Sequence, residues 1–309
     1  MKIHKYFPSN SPFLLQNEND YRRWREIKLE KSPEQLDALV VPVKSLADPT
    51  IGEIKAIAER CEVANMAVYS NTESKTGDLT PEQLRDFATR FNVSKFETHR
   101  SAGDSGVVSL EVSNQGTRNG YIPYTDLPLS WHTDGYYNEI DQPIRSMVLH
   151  CVRDAQEGGM SELLDPEIAY IRLRDRNPNY VSALMHPGAM TIPANTEPDG
   201  SIRPERIGPV FSIDRQSGAL HMRYSARGRN ISWRTDDDTT KARQYLHDIL
   251  EGAEARVFRT KLKPGQGLIC NNVLHRRTGF KNPPPDAAPG RLLYRLRCTE
   301  RIGHADAVQ

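Results

Sequence analysis

Apolar residues recur at helical spacing in several stretches of the chain, between polar and proline-rich segments. Ile54, Ile57 and Cys61 lie three or four residues apart, which predicts an amphipathic helix over 50–62. Thr80 followed by Pro81 and Gln83 is typical of a helix start, with a capping threonine, a proline in the first turn and a glutamine that completes a capping box. Further helices are predicted at 166–174, at 177–183 and after the acidic run 236–238.

Short apolar runs typical of β-strands outnumber the helical segments. They are predicted at 40–43, 64–70, 107–112, 130–134, 144–153, 209–213, 218–224, 257–262, 268–272 and 291–298, and residues 157–164 predict a turn that leads into another strand. Many short strands with a few helices between them predict a mainly β fold with flanking helices (α+β) and an antiparallel core. Neither a GxGxxG motif nor a P-loop is present, so the sequence gives no indication of a dinucleotide or NTP site.

The pattern divides the chain into an arm and one large domain. Residues 1–40 are polar and rich in proline, and predict an irregular N-terminal arm with one short helix around 21–28. Residues 41–309 are predicted to form a single domain, and the Pro/Gly-rich segment 186–208 a long functional or lid-like loop.

Composition and charge narrow the class of partner. The 309 residues include 41 basic and 40 acidic side chains, so no global field favours nucleic acid or an anionic membrane. Four scattered cysteines and the absence of an apolar leader favour a reducing, cytoplasmic location. We expect a small-molecule substrate, and the sequence leaves a homo-oligomer open.

His132 and Asp134 are the first candidates for chemistry. On a strand, side chains two residues apart leave the same face, so an imidazole and a carboxylate would point together into the space that the sheet encloses. Such a pair supplies two of the three ligands of a 2-His-1-carboxylate site, which is diagnostic of non-haem Fe(II) oxygenases. The pair is short enough to arise by chance, so the prediction depends on a third ligand.

Four histidines could complete such a site: His150, His186, His221 and His275. His186 lies in a predicted loop, and His150 and His221 lie in apolar strand runs where a core histidine is the common outcome. His275 ends a strand beside Asn271-Asn272 and is favoured over His221 by position.

The last predicted strand carries two arginines, Arg291 and Arg295, on one face with Leu293 between them. Arginines on an apolar strand require a carboxylate partner, and the planar guanidinium binds one in a bidentate manner. An internal ion pair with a distant Asp or Glu is the alternative for both residues.

With these residues the chain resembles the taurine dioxygenase-like family of Fe(II)- and 2-oxoglutarate-dependent oxygenases, over about residues 60–300. The resemblance is carried by the motifs Trp131-His132-Thr133-Asp134, Glu157-Gly158-Gly159-Met160-Ser161, Pro264-Gly265 through Asn271-Asn272-Val273-Leu274-His275-Arg276-Arg277-Thr278, and Arg291-Leu292-Leu293-Tyr294-Arg295. The loop between His275 and Arg291 is longer and richer in proline than in compact members of the family.

The resemblance implies a double-stranded β-helix (jelly-roll) core, with His132, Asp134 and His275 as iron ligands and no catalytic residue beyond them. Arg291 would hold the distal carboxylate of 2-oxoglutarate. Ser161, where the family usually has threonine, would also contact the co-substrate. The cofactors implied are Fe(II), 2-oxoglutarate and O₂, with release of succinate and CO₂, and the carboxylate at Asp134 favours hydroxylation or desaturation over halogenation.

Substrate contacts follow from basic and aromatic residues near the predicted site. If Arg295, which matches the family's second arginine, and Arg223 face the pocket, the substrate is expected to be anionic. Tyr136 could form a wall of the pocket or belong to the core. Arg227, Arg229 and Arg297 are expected on a solvated face. Two other classes stay open: a zinc-type hydrolase or isomerase that uses the same three ligands, and a non-catalytic binding protein.

Overall fold

Two β-sheets form the centre of the computed structural model, which describes residues 10–73, 78–97, 105–113, 121–197, 200–215, 217–228, 231–284 and 286–303. The larger sheet has six strands in the order β1-β2-β16-β5-β19-β3, antiparallel except for the parallel pair β1 and β2. Its strands are β1 (Val40–Val43), β2 (Met66–Asn71), β3 (Val108–Leu110), β5 (Ser146–Arg153), β16 (Gln266–Cys270) and β19 (Leu292–Cys298).

The smaller sheet has four antiparallel strands in the order β15-β7-β17-β4. Its strands are β4 (Leu129–His132), β7 (Ser161–Leu164), β15 (Phe258–Thr260) and β17 (Leu274–Arg277). Shorter ladders join β6 (Glu157–Gly158) with β18 (Phe280–Lys281), β8 (Met190–Ile192) with β11 (Arg206–Gly208) and β14 (Ser232–Trp233), β9 (Asn195–Thr196) with β10 (Ile202–Arg203), and β12 (Phe211–Ile213) with β13 (Leu220–Met222).

The described helices begin where the sequence provides capping residues. They are α1 (Glu18–Lys31), α2 (Ile51–Ala64), α3 (Pro81–Thr89), α4 (Pro166–Arg176), α5 (Pro178–Leu184) and α6 (Asp237–Asp248). The predicted capping box of α3 is present, with Thr80 and Gln83 bonded reciprocally, and α2 has a second one between Thr50 and Glu53. None of the described helices combines the length and apolar character that crossing a lipid bilayer requires.

Alternation along the strands divides the core into layers. Leu163 of β7 and Leu293 of β19 belong to one buried cluster, which lies between the two sheets. Trp131, Leu164 and Leu274 leave the opposite face of the smaller sheet and pack with α4, α5 and α6. Because successive side chains on a strand point to opposite faces, the neighbours of these three residues point toward the larger sheet.

Two predictions about irregular segments need correction. The segment 186–208 is not a structureless loop, because its described residues include β8, β9, β10 and β11. Within the predicted arm 1–40, α1 is longer than the expected helix and packs on α4, where the Tyr21 hydroxyl donates to Asp175 at 2.7 Å. The boundary at residue 40 stays a prediction.

A buried ammonium joins α1 to the body of the protein. The Nζ atom of Lys28 lies 2.6 Å from Asp165 Oδ2 and 2.5 Å from Glu167 Oε2, and donates to the Val63 carbonyl at 2.7 Å. Asp165 also caps α4. Since an unpaired buried charge is costly, the lysine and the two carboxylates depend on each other.

We expect Lys28→Met to lower the free energy of unfolding by about 3 to 5 kcal/mol, because it leaves the buried carboxylate of Asp165 and the partly buried carboxylate of Glu167 without their cation. Lys31→Met is the matched control, since Lys31 lies on the same helix with an exposed side chain, and we expect a change within about 0.5 kcal/mol. Urea denaturation followed by circular dichroism measures both. Equal midpoints for the two variants would contradict this role of Lys28.

Candidate metal centre

The two candidate histidines are brought together by a single ladder of the smaller sheet. His275 of β17 is the direct antiparallel partner of His132 at the end of β4, and their ring centroids lie 4.1 Å apart. The strands have opposite directions, so directly paired residues present their side chains on the same face. This face is the one that points toward the larger sheet.

Asp134 reaches the same place by a different route from the one predicted. The strand β4 ends at His132, and Asp134 begins a turn that continues through Gly135, whose φ is +68°. The Thr133 amide donates to the Tyr224 carbonyl at 3.0 Å, and the Asp134 amide donates to Asn272 Oδ1 at 2.8 Å. The prediction of a strand through Asp134 was therefore wrong, although its carboxylate does lie beside the imidazoles.

His132, Asp134 and His275 form a compact set of ligand atoms. One donor atom from each lies within 4.8 Å of the others, and this is the one group of three or more metal-ligand side chains in the described part of the chain. His132 and Asp134 are buried, and His275 is partly buried. The Asp134 carboxylate Oδ2 is buried without a hydrogen-bond partner, an arrangement that costs free energy unless a cation binds there.

Both imidazoles are oriented through their Nδ1 atoms. His132 Nδ1 lies 2.9 Å from the Ser130 carbonyl and His275 Nδ1 lies 2.9 Å from the Val273 carbonyl. A carbonyl can only accept, so each Nδ1 donates and each Nε2 keeps its lone pair for a metal. Such outer contacts typically fix the rings of metal-bound histidines, so the residues present fit a divalent metal ion.

Charge in the site is set by burial and by two neighbouring arginines. Burial, together with His275, lowers the pKa of His132 to about 3, so this imidazole is neutral at pH 7. Burial alone would favour the protonated form of Asp134, but Arg295 and Arg297, with the two histidines, hold the pKa of its carboxyl below the usual range. Both groups are thus in the form that binds a metal.

The arginines come from β19 in the larger sheet. Arg295 Nη1 lies 3.4 Å and Arg297 Nη1 lies 3.9 Å from Asp134 Oδ1, and Arg295 Nε is buried without a hydrogen-bond partner. Arg297 also donates to the Tyr137 hydroxyl at 2.9 Å and pairs with Glu97. The expectation of a solvated Arg297 was wrong, because its side chain is buried.

Arg291 lies just before β19, at the start of the bulge between Leu292 and Leu293. Its guanidinium is buried over the ring of Phe280, 5.0 Å from the centroid, and burial lowers its pKa to about 10. Among the described residues no carboxylate lies within ion-pair distance of Arg291, so the internal ion pair considered for it has no partner there. Arg277, another buried arginine, adds positive charge nearby: burial and Arg291 lower its pKa to about 10.

The glycine turn before Ser161 packs against the same guanidinium. Gly158 and Gly159 both have positive φ, and a Cβ at Gly159 would lie 3.6 Å from Arg291 Nε. A Cβ at Gly158 would collide with the Gly279 carbonyl. Ser161 begins β7 and pairs with Arg277 of β17, so its hydroxyl lies on the same face as His275.

The two remaining predicted substrate residues differ in what they can offer. The Tyr136 ring stands edge-on to His132 with centroids 6.3 Å apart, as a pocket wall would. Arg223 is buried and donates to four backbone carbonyls, those of Tyr136, Met190, Arg206 and Gly208. These bonds join β8 and β11 to the turn that begins at Asp134, and they leave little of the Arg223 guanidinium for a substrate anion.

The three other candidate histidines do not belong to this cluster. His150 is buried in the larger sheet with its Nδ1 3.1 Å from the Tyr69 hydroxyl, His221 lies on β13, and exposed His186 accepts the Gly188 amide. Two contributors were not predicted: Asn272, which the sequence places near His275 without a predicted role, and Arg297. The alternation 293, 295, 297 along β19 is the signal that points to Arg297.

Comparison with known proteins gives a family and two groups of relatives. The family model for taurine catabolism dioxygenase TauD, TfdA family matches residues 76–297, which confirms the resemblance noted in the sequence. A uridine-5'-phosphate dioxygenase from Amycolatopsis sp is 29% identical over 164 residues, or 50% of this chain and 56% of that protein. One from Streptomyces sp is 28% identical over 180 residues, or 56% and 63%. The chain thus spans less than two thirds of these relatives.

Solved structures show the same fold at low sequence identity. Asparagine oxygenase in complex with Fe(II), 3-hydroxyasparagine and succinate has a TM-score of 0.54 at 13% identity, covering 84% of this chain and 93% of that one. AAD-2 in complex with Mn(II) and N-oxalylglycine has a TM-score of 0.58 at 17% identity, covering 86% and 96%. OrfP in complex with Fe and alpha-ketoglutaric acid has a TM-score of 0.53 at 16% identity, covering 89% and 90%.

We expect His275→Ala to weaken Mn(II) binding by about 100-fold or more, since losing even an outer contact of a metal ligand costs about 10- to 100-fold. His221→Ala is the control, because His221 lies outside the cluster, and its affinity should match that of the wild type. Anaerobic isothermal titration calorimetry measures both. Undiminished binding in His275→Ala would remove this residue from the site.

Proposed function

Since this chain belongs to the taurine catabolism dioxygenase TauD, TfdA family, we propose that it is an Fe(II)- and 2-oxoglutarate-dependent dioxygenase. The reaction that we propose is hydroxylation of a small anionic organic molecule, with release of succinate and CO₂. The observation that carries this proposal is the convergence between the sheets of two imidazoles and a carboxylate with an unpartnered oxygen, with one ligand atom of each residue within 4.8 Å of the others.

Three protein ligands on one side of a metal leave positions for a co-substrate and oxygen, which is the arrangement of 2-His-1-carboxylate oxygenases. When bound, iron and 2-oxoglutarate together supply the oxidising chemistry, and the protein supplies position, charge and exclusion of water. The chain retains the carboxylate ligand, Asp134, so the proposal favours hydroxylation, with desaturation as the alternative outcome on the same residues.

The fold supports the proposal at a coarser level. Two largely antiparallel sheets share a buried cluster between them. The two histidine ligands lie on the inner face of the smaller sheet, and Asp134 lies in the turn that follows β4. We infer that the two sheets are the halves of a double-stranded β-helix core, with the described helices packed outside it. The solved oxygenases with TM-scores of 0.53 to 0.58 support this inference.

Arg291 is proposed to bind the distal carboxylate of 2-oxoglutarate. Its guanidinium is desolvated, stacked on Phe280 and without a described carboxylate partner, so an arriving dicarboxylate would satisfy it with charge-assisted hydrogen bonds. Ser161 lies on the same inner face as His275 and offers a hydroxyl in that space. The ring of Phe280 fixes one side of the guanidinium and leaves its edge for the ligand.

Arg295 and Tyr136 are proposed to contact the substrate. Arg295 has a buried Nε donor without a partner, and the ring of Tyr136 stands beside His132. Two relatives are named uridine-5'-phosphate dioxygenases, a name that refers to a phosphorylated compound. The structural neighbour asparagine oxygenase was solved in complex with a hydroxylated amino acid. Both kinds of molecule are small and carry an anionic group, which supports the proposed substrate class.

The central experiment is an anaerobic titration of the purified protein with Fe(II) and 2-oxoglutarate. We expect the weak visible charge-transfer band of an iron–keto acid chelate in the wild type. In Arg291→Gln we expect the same maximal band at about 10-fold or more higher 2-oxoglutarate, because a charge-assisted hydrogen bond is worth about 1.5 to 3 kcal/mol. A zinc-type hydrolase would need neither Arg291 nor the keto acid, so absence of the band in wild type would overturn the proposal.

Substrate class is tested with uridine-5'-phosphate against uridine, following succinate release. We expect the phosphorylated compound to stimulate succinate release more strongly, and Arg295→Gln to raise its KM by about 10-fold or more through loss of a charge-assisted contact. Arg227→Gln is the control, because Arg227 is exposed. Since Arg295 also approaches Asp134, Mn(II) affinity is measured in parallel. Unchanged KM in Arg295→Gln for every anionic compound turned over would end the anionic-substrate proposal.

A further inference from the structure

We propose that Asn272 is a positioning residue for the candidate metal centre, and that its side-chain amide holds Asp134 in register with His275. This inference rests on the proposed metal site and concerns a residue that is not itself one of the predicted metal ligands. It follows from the hydrogen bonds of one buried side chain that joins the two halves of the cluster.

The amide of Asn272 binds the backbone of Asp134 on both sides. Its Oδ1 accepts the Asp134 N–H at 2.8 Å, and its Nδ2 donates to the Asp134 carbonyl at 3.0 Å and to the Ile144 carbonyl at 2.6 Å. Reversing the amide would place a donor against the Asp134 N–H and an acceptor against two carbonyls, so the network permits one orientation only.

The backbone conformation and position of Asn272 also link it to the metal-ligand strand. Its φ is +51°, in the left-handed region that asparagine tolerates better than most side chains. The residue stands between the end of β16 at Cys270 and the start of β17 at Leu274. The next carbonyl, that of Val273, accepts from His275 Nδ1. Asn272 is therefore linked by covalent bonds to one metal-ligand strand and by hydrogen bonds to the turn that carries the carboxylate.

Asp134 requires these hydrogen bonds because β4 ends at His132, so strand pairing does not fix its position. Beyond His132 the chain is a turn, and the Asp134 carboxylate faces two guanidinium groups, with Arg295 Nη1 3.4 Å from its Oδ1. Free rotation of the turn would let the carboxylate move into a closer ion pair with Arg295, in competition with a metal. With the Asp134 N–H and C=O both bonded to Asn272, the peptide plane on each side of Asp134 is fixed and this movement is opposed.

Asn271 provides a matched comparison in the adjacent position. It is buried as well, and its Oδ1 accepts the Ile302 N–H at 2.9 Å while its Nδ2 faces Asn65 Oδ1 at 3.4 Å. These bonds join the strand to the C-terminal segment and to the start of β2, and none reaches the cluster. The pair thus separates the effect of losing a buried amide from the effect of losing the hold on Asp134.

The test compares Asn272→Gly with Asn271→Gly. Glycine accepts positive φ, so the first variant removes the amide without straining the backbone. Anaerobic titration of each apoprotein with Mn(II) by calorimetry gives the metal affinity, and thermal unfolding without metal gives the stability. We expect Asn272→Gly to weaken Mn(II) binding by about 10- to 100-fold, the range for loss of an outer contact, and Asn271→Gly to remain within about threefold of wild type. Both variants should lose thermal stability.

Asn272→Ser provides a second measurement if the glycine variant does not fold. A serine hydroxyl can still accept the Asp134 N–H but cannot serve the two carbonyls, so an intermediate Mn(II) affinity is expected. Wild-type affinity in either folded Asn272 variant, or equal losses in Asn271→Gly, would overturn the inference. Failure of the wild type to bind Mn(II) would instead overturn the proposed metal site, so the two failures are distinguishable.

Discussion

The antiparallel pairing of β4 with β17 is the constraint on which the site depends. It places His132 directly opposite His275, although the two residues are far apart in the sequence. The same ladder continues through β7, which places Ser161 opposite Arg277 on the same inner face. A shift of either strand by one residue would turn its imidazole toward the helices and away from the other histidine, because side chains alternate between the two faces of a sheet. The packing of Trp131 and Leu274 against those helices opposes such a shift.

The larger sheet supplies the positive charges that face the Asp134 carboxylate. Arg295 and Arg297 leave β19 toward Asp134, and Arg291 immediately precedes that strand. The carboxylate of Asp134 thus stands between imidazoles from one sheet and guanidinium groups from the other. Burying an arginine without a full set of partners costs free energy. These arginines lie where the anionic groups of the proposed co-substrate and substrate would bind.

Local signals in the sequence predicted most of the elements, and distant contacts account for the rest. Residues close together in the sequence predict three elements that the structure contains: the capping box at Thr80, the strand Val40–Val43 and the hairpin of β12 and β13. The burial of Arg297 depends on Glu97 and Tyr137, and the position of Asp134 on Asn272, which are pairings that no local pattern contains. For Arg223, a basic cluster indicated an anion site, yet its partners are backbone carbonyls, which sequence alone does not reveal.

The orientation of the two imidazoles by backbone carbonyls has a consequence for variation of the pocket. Ser130 and Val273 hold the rings through main-chain oxygens, which every residue type provides. Neighbouring side chains can therefore be exchanged without altering the tautomer that each histidine presents. Residues that are proposed to line the substrate side, such as Tyr136, are free to diverge while the histidines keep their orientation. A library of variants could therefore change the pocket wall while the pairing of β4 with β17 is left unchanged. We expect most of its members to fold and to bind metal, so that they can be screened for activity on new substrates.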